Sequence, residues 1–223
     1  MSKLSLLDII GPIMLGPSSS HTAGAVRIGN LAREIVAEEI EEVKFHLHGS
    51  FKETYQGHGT DKALLGGLLG LSTADPKIKN AFELAEEKGI EFDYLPVELD
   101  GVHPNTAKLE IKDRTDKTTT IVASSVGGGS VVIKQIDGIN VDLNGEYHTL
   151  ITLHQDKPGV MAKISRVLEE DELNIAFMKV LREYKGALAT AVIELDHNLT
   201  TKKLRAIKEI AEIKEARIIK PVK

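Results

Sequence analysis

Apolar positions along the chain switch between two spacings, and the switches mark out its elements. Val26, Ile28, Leu31, Ile35 and Val36 share one helical face, while Arg33, Glu34, Glu38 and Glu39 lie on the other. That pattern predicts a helix over 25–40. Val43, Phe45 and Leu47 then alternate with Lys44, His46 and His48, as in a half-buried strand. A glycine-broken apolar helix is predicted over 61–71, entered after Thr60, and another over 77–88 that stops at Gly89. Strand-like runs occupy 90–95, 107–112, 119–125, 130–136 and 139–143. Helices come first and strands dominate later, so this part reads as α+β, or as α/β with a mixed sheet.

Beyond residue 145 one regular pattern takes over. A strand at 150–154 precedes a helix whose stripe is Val160, Met161, Ile164, Val167 and Leu168. Strands at 174–182 and 187–196 flank a turn at 183–186. A helix marked by Leu204, Ile207 and Ile210 and a strand at 216–219 complete the order β-α-β-β-α-β, the ferredoxin-like arrangement. Asp137-Gly138 and Asn144-Gly145 are turn signals on either side of 139–143. They place a linker at 143–148 and two domains at 1–145 and 146–223.

Composition narrows the function classes. The 223 residues include no cysteine, so there is no disulfide framework and no zinc ribbon, which fits a reducing compartment. The net charge is −5 and aromatics make up 4%, a poor match to nucleic-acid binding. The basic stretch 202–223 is interleaved with Glu209, Glu212 and Glu215 and reads as a solvated face. Met1 to Ile10 carries Lys3 and Asp8 around a short apolar run, which does not make a signal peptide, and no run approaches a membrane span. A cytoplasmic location is expected.

The candidate chemistry lies in turns. Ser18, Ser19, Ser20, His21 and Thr22 precede the first long helix, so hydroxyls, an imidazole and helix-start amides converge there. Such a set can hold a carboxylate and move a proton; an ordinary Ser/Thr cap with a surface histidine is the plainer alternative. A second turn, Gly57-His58-Gly59-Thr60-Asp61-Lys62, opens the next helix, and it lacks the spacing of a phosphate loop. His103 sits in a third turn, and Gly127-Gly128-Gly129 offers free amides between two strands. His46 and His48 share a strand face, but two ligands do not make a metal site. No Gly-x-Ser-x-Gly elbow supports a serine hydrolase.

In the C-terminal domain, His154-Gln155-Asp156-Lys157-Pro158-Gly159-Val160 joins a strand to a helix. Asp156 is expected to cap that helix and Gly159 to permit close approach of another backbone. This loop and the β-α-β-β-α-β order resemble the ACT domain, a family that often binds amino acids. The resemblance implies effector contacts at His154, Asp156, Gly159, Val160 and Asn174. Serine-binding members carry asparagine where this chain has Asp156. A carboxylate there suits an ammonium group or a monovalent cation better than a ligand carboxylate. The alternative is a domain that only dimerises.

Gly16-Pro17-Ser18-Ser19-Ser20-His21-Thr22-Ala23-Gly24, with Gly57-His58-Gly59-Thr60-Asp61-Lys62-Ala63, closely resembles the bacterial iron–sulfur L-serine dehydratases. The glycine run and the terminal ACT domain agree with this. The chain is similar to the β chain of the split type, whose first domain also resembles a regulatory binding domain of some phosphoglycerate dehydrogenases. The resemblance implies conversion of L-serine to pyruvate and ammonia, with a 4Fe–4S cluster on a separate α chain acting as Lewis acid. It implies catalytic roles for His21, Ser19, Ser20 and His58. Substrate contacts would come from Ser18, Thr22, Thr60, Asp61, His103 and the glycines 127–129. A non-catalytic amino-acid sensor is the competing class.

Overall fold

A computed structural model of the chain describes residues 13–14, 16–182 and 184–222. The N-terminal reading of Met1 to Ile10 lies outside these residues. The chain forms two compact units that meet in sequence at Asn144 and Gly145. Each is built around its own sheet.

In the first unit, a π-helical turn, Ser19–Ala23, runs directly into helix α1, Gly24–Val36. Helix α1 buries Val26, Ile28, Leu31 and Ile35 on one face, as its spacing demands. It stops four residues short of the expected end. Ala37 turns left-handed at φ 58°, and Ile40 is already paired with Asp113 in the sheet. Strand β1, Ile40–His48, buries Val43, Phe45 and Leu47. A short helix α2, Ser50–Thr54, comes next and was not expected. Helix α3 spans Thr60–Leu68. The predicted 77–88 helix is two pieces, a 3-10 turn Pro76–Asn80 capped by Asp75 and helix α4, Ala81–Glu87.

Strands β2 Glu91–Val97, β3 Thr106–Asp113, β4 Thr118–Gly127, β5 Ser130–Ile136 and β6 Ile139–Leu143 complete a six-stranded sheet in the order β2-β1-β3-β4-β5-β6. Among the described residues only β1 and β2 pair in parallel, with α2 to α4 forming the crossover between them. Pro96 is tolerated because β2 lies at the sheet edge. Helix α1 packs on β3, β4 and β5 and crosses α3 very closely. The crossing depends on two glycines. A Cβ on Gly29 would sit 2.2 Å from the Leu64 carbonyl oxygen, and one on Gly67 2.0 Å from that of Val26.

The second unit, Gly145–Pro221, has β7 His148–Gln155, α5 Val160–Glu169, β8 Ile175–Arg182, β9 Leu188–Leu195, α6 Thr201–Lys208 and β10 Ile213–Ile219. Its antiparallel sheet runs β10-β7-β9-β8, the ferredoxin-like order of an ACT domain. Leu150, Val160, Ile164, Leu168, Ala191, Ile193 and Ile207 form a separate core. No helix among the described residues is long and apolar enough to cross a membrane.

Candidate functional site

The site of the first unit is built at the start of helix α1. The Gly24 N–H reaches back to the Ser19 carbonyl, giving the wide π-turn, a geometry found often at functional sites. Ser18 caps the turn, its Oγ accepting the His21 N–H at 3.2 Å. The wide turn leaves the His21 side chain 9% exposed. Its Nδ1 lies 3.0 Å from Ser20 Oγ and 3.4 Å from Ser18 Oγ, and these two hydroxyls are 3.2 Å apart. Its Nε2 lies 2.9 Å from Ser50 Oγ, at the start of α2.

Two rings flank this imidazole. His58 stands edge-on with ring centres 4.9 Å apart, and Phe51 does the same at 5.3 Å. Burial lowers the His21 pKa below its ordinary 6.5. The facing His58 adds to this and the Ser50 backbone opposes it. At neutral pH His21 is therefore a neutral imidazole with a hydroxyl at each nitrogen, a form able to take up or pass on a proton.

The second histidine turn closes on the first. Thr22 Oγ1 donates to the His58 carbonyl at 3.4 Å. His58 Nδ1 and Thr60 Oγ1 are buried side-chain atoms with no hydrogen-bond partner among the described residues. Asp61 is buried at the start of α3, where its carboxylate accepts the Lys62 N–H at 2.7 Å. Burial raises its pKa above the ordinary 3.8.

Other expected site residues are placed differently. His103 is exposed, its Nδ1 accepts the Asn105 N–H at 3.1 Å, and its carbonyl accepts from Thr106 Oγ1 at 2.6 Å. These bonds shape its own turn. Gly127, Gly128 and Gly129 form the β4–β5 hairpin connection, all at positive φ. Arg27 of α1 donates to the Gly129 carbonyl at 2.9 Å, tying the hairpin to the helix that carries the His21 turn. His46 and His48 meet Glu110 at 3.3 Å and the Leu99 N–H at 3.1 Å.

Sequence reasoning missed Ser50, Phe51 and Ser125. Ser125 Oγ is buried without a partner among the described residues, and a Cβ on Gly24 would come within 2.1 Å of it. The available signal was Gly49-Ser50 directly after an alternating strand, a place where a strand-to-helix turn presents a side chain.

In the second unit Asp156 is not the helix cap. Gly159, at φ 87°, occupies the cap position of α5, which begins at the buried Val160. The Asp156 carboxylate instead accepts the Gly186 N–H at 3.0 Å and Arg182 Nη1 at 2.6 Å. These contacts hold it below the ordinary carboxylate range. His154 is buried, 3.2 Å from Thr152 Oγ, and burial lowers its pKa. Asn174 donates to Asp196 at 2.7 Å. It precedes β8, whereas Arg182, the Asp156 partner, ends that strand, so seven strand residues lie between the two. An open cavity of about 480 Å³ is lined by Gln155, Lys157, Gly186, Ala187 and Leu188.

A mixed-sheet unit carrying a histidine–hydroxyl turn, together with an ACT-type unit, defines the class of this α+β protein. The sequence profile described as serine dehydratase beta chain matches residues 5–136, and the chain belongs to that family. It is 43% identical to the probable L-serine dehydratase beta chain of Bacillus subtilis, over 89% of this chain and 90% of that one. It is 37% identical to the L-serine dehydratase beta chain of Peptoniphilus asaccharolyticus, over 98% and 99% of the two chains. A D-3-phosphoglycerate dehydrogenase of Bacillus subtilis is 28% identical over 87% of this chain, which covers 37% of that longer protein.

Proposed function

We propose that this chain is the β subunit of a cytoplasmic, two-chain L-serine ammonia-lyase that yields pyruvate and ammonia, with a 4Fe–4S cluster on a separate α chain. The carrying observation is the buried His21 imidazole held between Ser20 and Ser50 with His58 against its edge. The chain has no cysteine, and among its described residues no group of three or more histidine or carboxylate side chains could hold a metal ion. Its own donors therefore do not fit such a cluster, and the steps assigned here stay on its side chains.

Removing a proton from the α-carbon of an amino acid needs a base and fixed groups that stabilise the charge building toward the carboxylate. His21 is the candidate base or substrate-orienting group. Ser18, Ser19, Ser20 and Thr22, with the amides at the helix start, are candidates to hold the carboxylate or ammonium. The unpartnered His58 Nδ1 and Thr60 Oγ1 support a polar ligand here, because buried polar atoms normally have partners.

The test is co-expression with a cysteine-bearing α chain under anaerobic conditions. The assembled enzyme should turn over L-serine, and the isolated chain should not. His21→Ala in the assembly should lower kcat by about 100-fold or more, with iron content unchanged. Full turnover in that variant would leave the amino-acid-sensor reading in its place.

A further inference from the structure

We propose that Ser50 is the residue that positions His21 and fixes its hydrogen on Nε2. This rests on the functional reading of His21 given above, but its geometric part stands apart from it. Ser50 occupies the first position of α2, yet that helix start has no side-chain capping bond. The hydroxyl is directed instead across 29 positions of sequence, to His21 Nε2 at 2.9 Å.

The backbone that aims it is tightly specified. Gly49 sits at φ 55°, ψ −126°, between the end of β1 and α2. Any side chain there would be strained, and its Cβ would lie 2.6 Å from the Pro104 carbonyl oxygen. The turn that carries His103 thus braces the Ser50 turn from outside. Phe51, the next residue, is fully buried and closes on the His21 ring.

A neutral imidazole offers one donor and one acceptor nitrogen. Ser18 Oγ accepts the His21 backbone N–H, which leaves its own hydrogen available to a neighbouring acceptor. Ser20 Oγ is 3.2 Å away, and from Ser20 the next acceptor is His21 Nδ1 at 3.0 Å. In the proposed arrangement each hydroxyl donates to the next group. Nε2 then carries the ring hydrogen and Ser50 Oγ accepts it. An acceptor at that place favours the protonated ring. The Ser50 hydrogen is left to point at whatever binds beside the ring. The partner of a histidine nitrogen decides which tautomer is held.

The first experiment uses the full chain alone and measures His21 ring ¹⁵N shifts by long-range ¹H–¹⁵N correlation near pH 7.5. The wild type should show the hydrogen on Nε2. Ser50→Ala should mix the two tautomers, and Ser50→Thr, which keeps a hydroxyl, should restore the wild-type pattern. Unchanged His21 shifts in Ser50→Ala, or a wild-type hydrogen on Nδ1, would overturn the proposal. In the assembled two-chain enzyme, Ser50→Ala should lower kcat about tenfold, a fraction of what a general base supplies, with KM little changed. Its acid limb should move to lower pH. If the wild-type assembly fails to turn over serine while the ring shifts behave as stated, the functional reading fails and the positioning role stands.

Discussion

Burial pushes His21 and Asp61 toward neutrality from opposite sides, and each leaves a signature in the pH dependence of stability. The folded pKa of His21 lies below 6.5, so the unfolded chain takes up its proton first as pH falls. Stability is therefore lost below about pH 6.5. Between pH 7 and pH 5, His21→Gln should lose less stability than the wild type, as read from urea midpoints. The folded pKa of Asp61 lies above 3.8, so its favourable contribution is complete below 3.8 and is lost as pH rises through the folded value. Asp61→Asn keeps an acceptor for the Lys62 N–H and carries no charge. It should raise the urea midpoint at pH 7, and the gain should shrink toward pH 3.5. At this scale the sequence showed His21 and His58 because each sits in a glycine- or hydroxyl-rich turn. Ser50 stayed hidden because its partner is 29 positions away and only the fold joins them.

Among the elements, those with a clear period were legible. Val43, Phe45 and Leu47 alternate because one face of β1 is buried, and the stripe of α5 faces the core of its unit. The failures have physical causes. Helix α1 ends at Ala37 in a left-handed turn with no glycine to announce it. Helix α2 contains one buried apolar residue, Phe51, too few to show a period. Asp156 has the right spacing for a cap, but Arg182 and the Gly186 N–H, both distant in sequence, claim its carboxylate. The α1–α3 crossing gives a sharp test. Gly67→Ala would drive a Cβ to 2.0 Å from the Val26 carbonyl oxygen, whereas a Cβ on Gly59 meets nothing within 4 Å. Gly67→Ala should cost about 1–3 kcal/mol by urea unfolding, despite the better helix propensity of alanine. Gly59→Ala should cost about 1–2 kcal/mol from its positive φ alone.

For the whole molecule, the presence of a separate core in each unit has a direct consequence. Residues 145–221 contain their own apolar cluster and a complete four-stranded sheet. Expressed alone, this segment should unfold cooperatively by circular dichroism; a broad, non-cooperative transition would show that the unit cannot stand by itself. Titrating it with L-serine then asks whether the loop at 154–160 takes an amino acid, and no heat at millimolar ligand would argue against an effector there. In the first unit, the Gly29–Gly67 crossing fixes more than a helix angle. The His21 turn leads into one of these helices, and the His58 turn leads into the other. The distance between the two imidazoles is therefore gauged like the jaws of a calliper, with the two glycines as its pivot. One methyl group added at that pivot, eight or nine positions from the nearer ring, would respace the pair. Such a change alters the spacing of the two rings without replacing any residue around them.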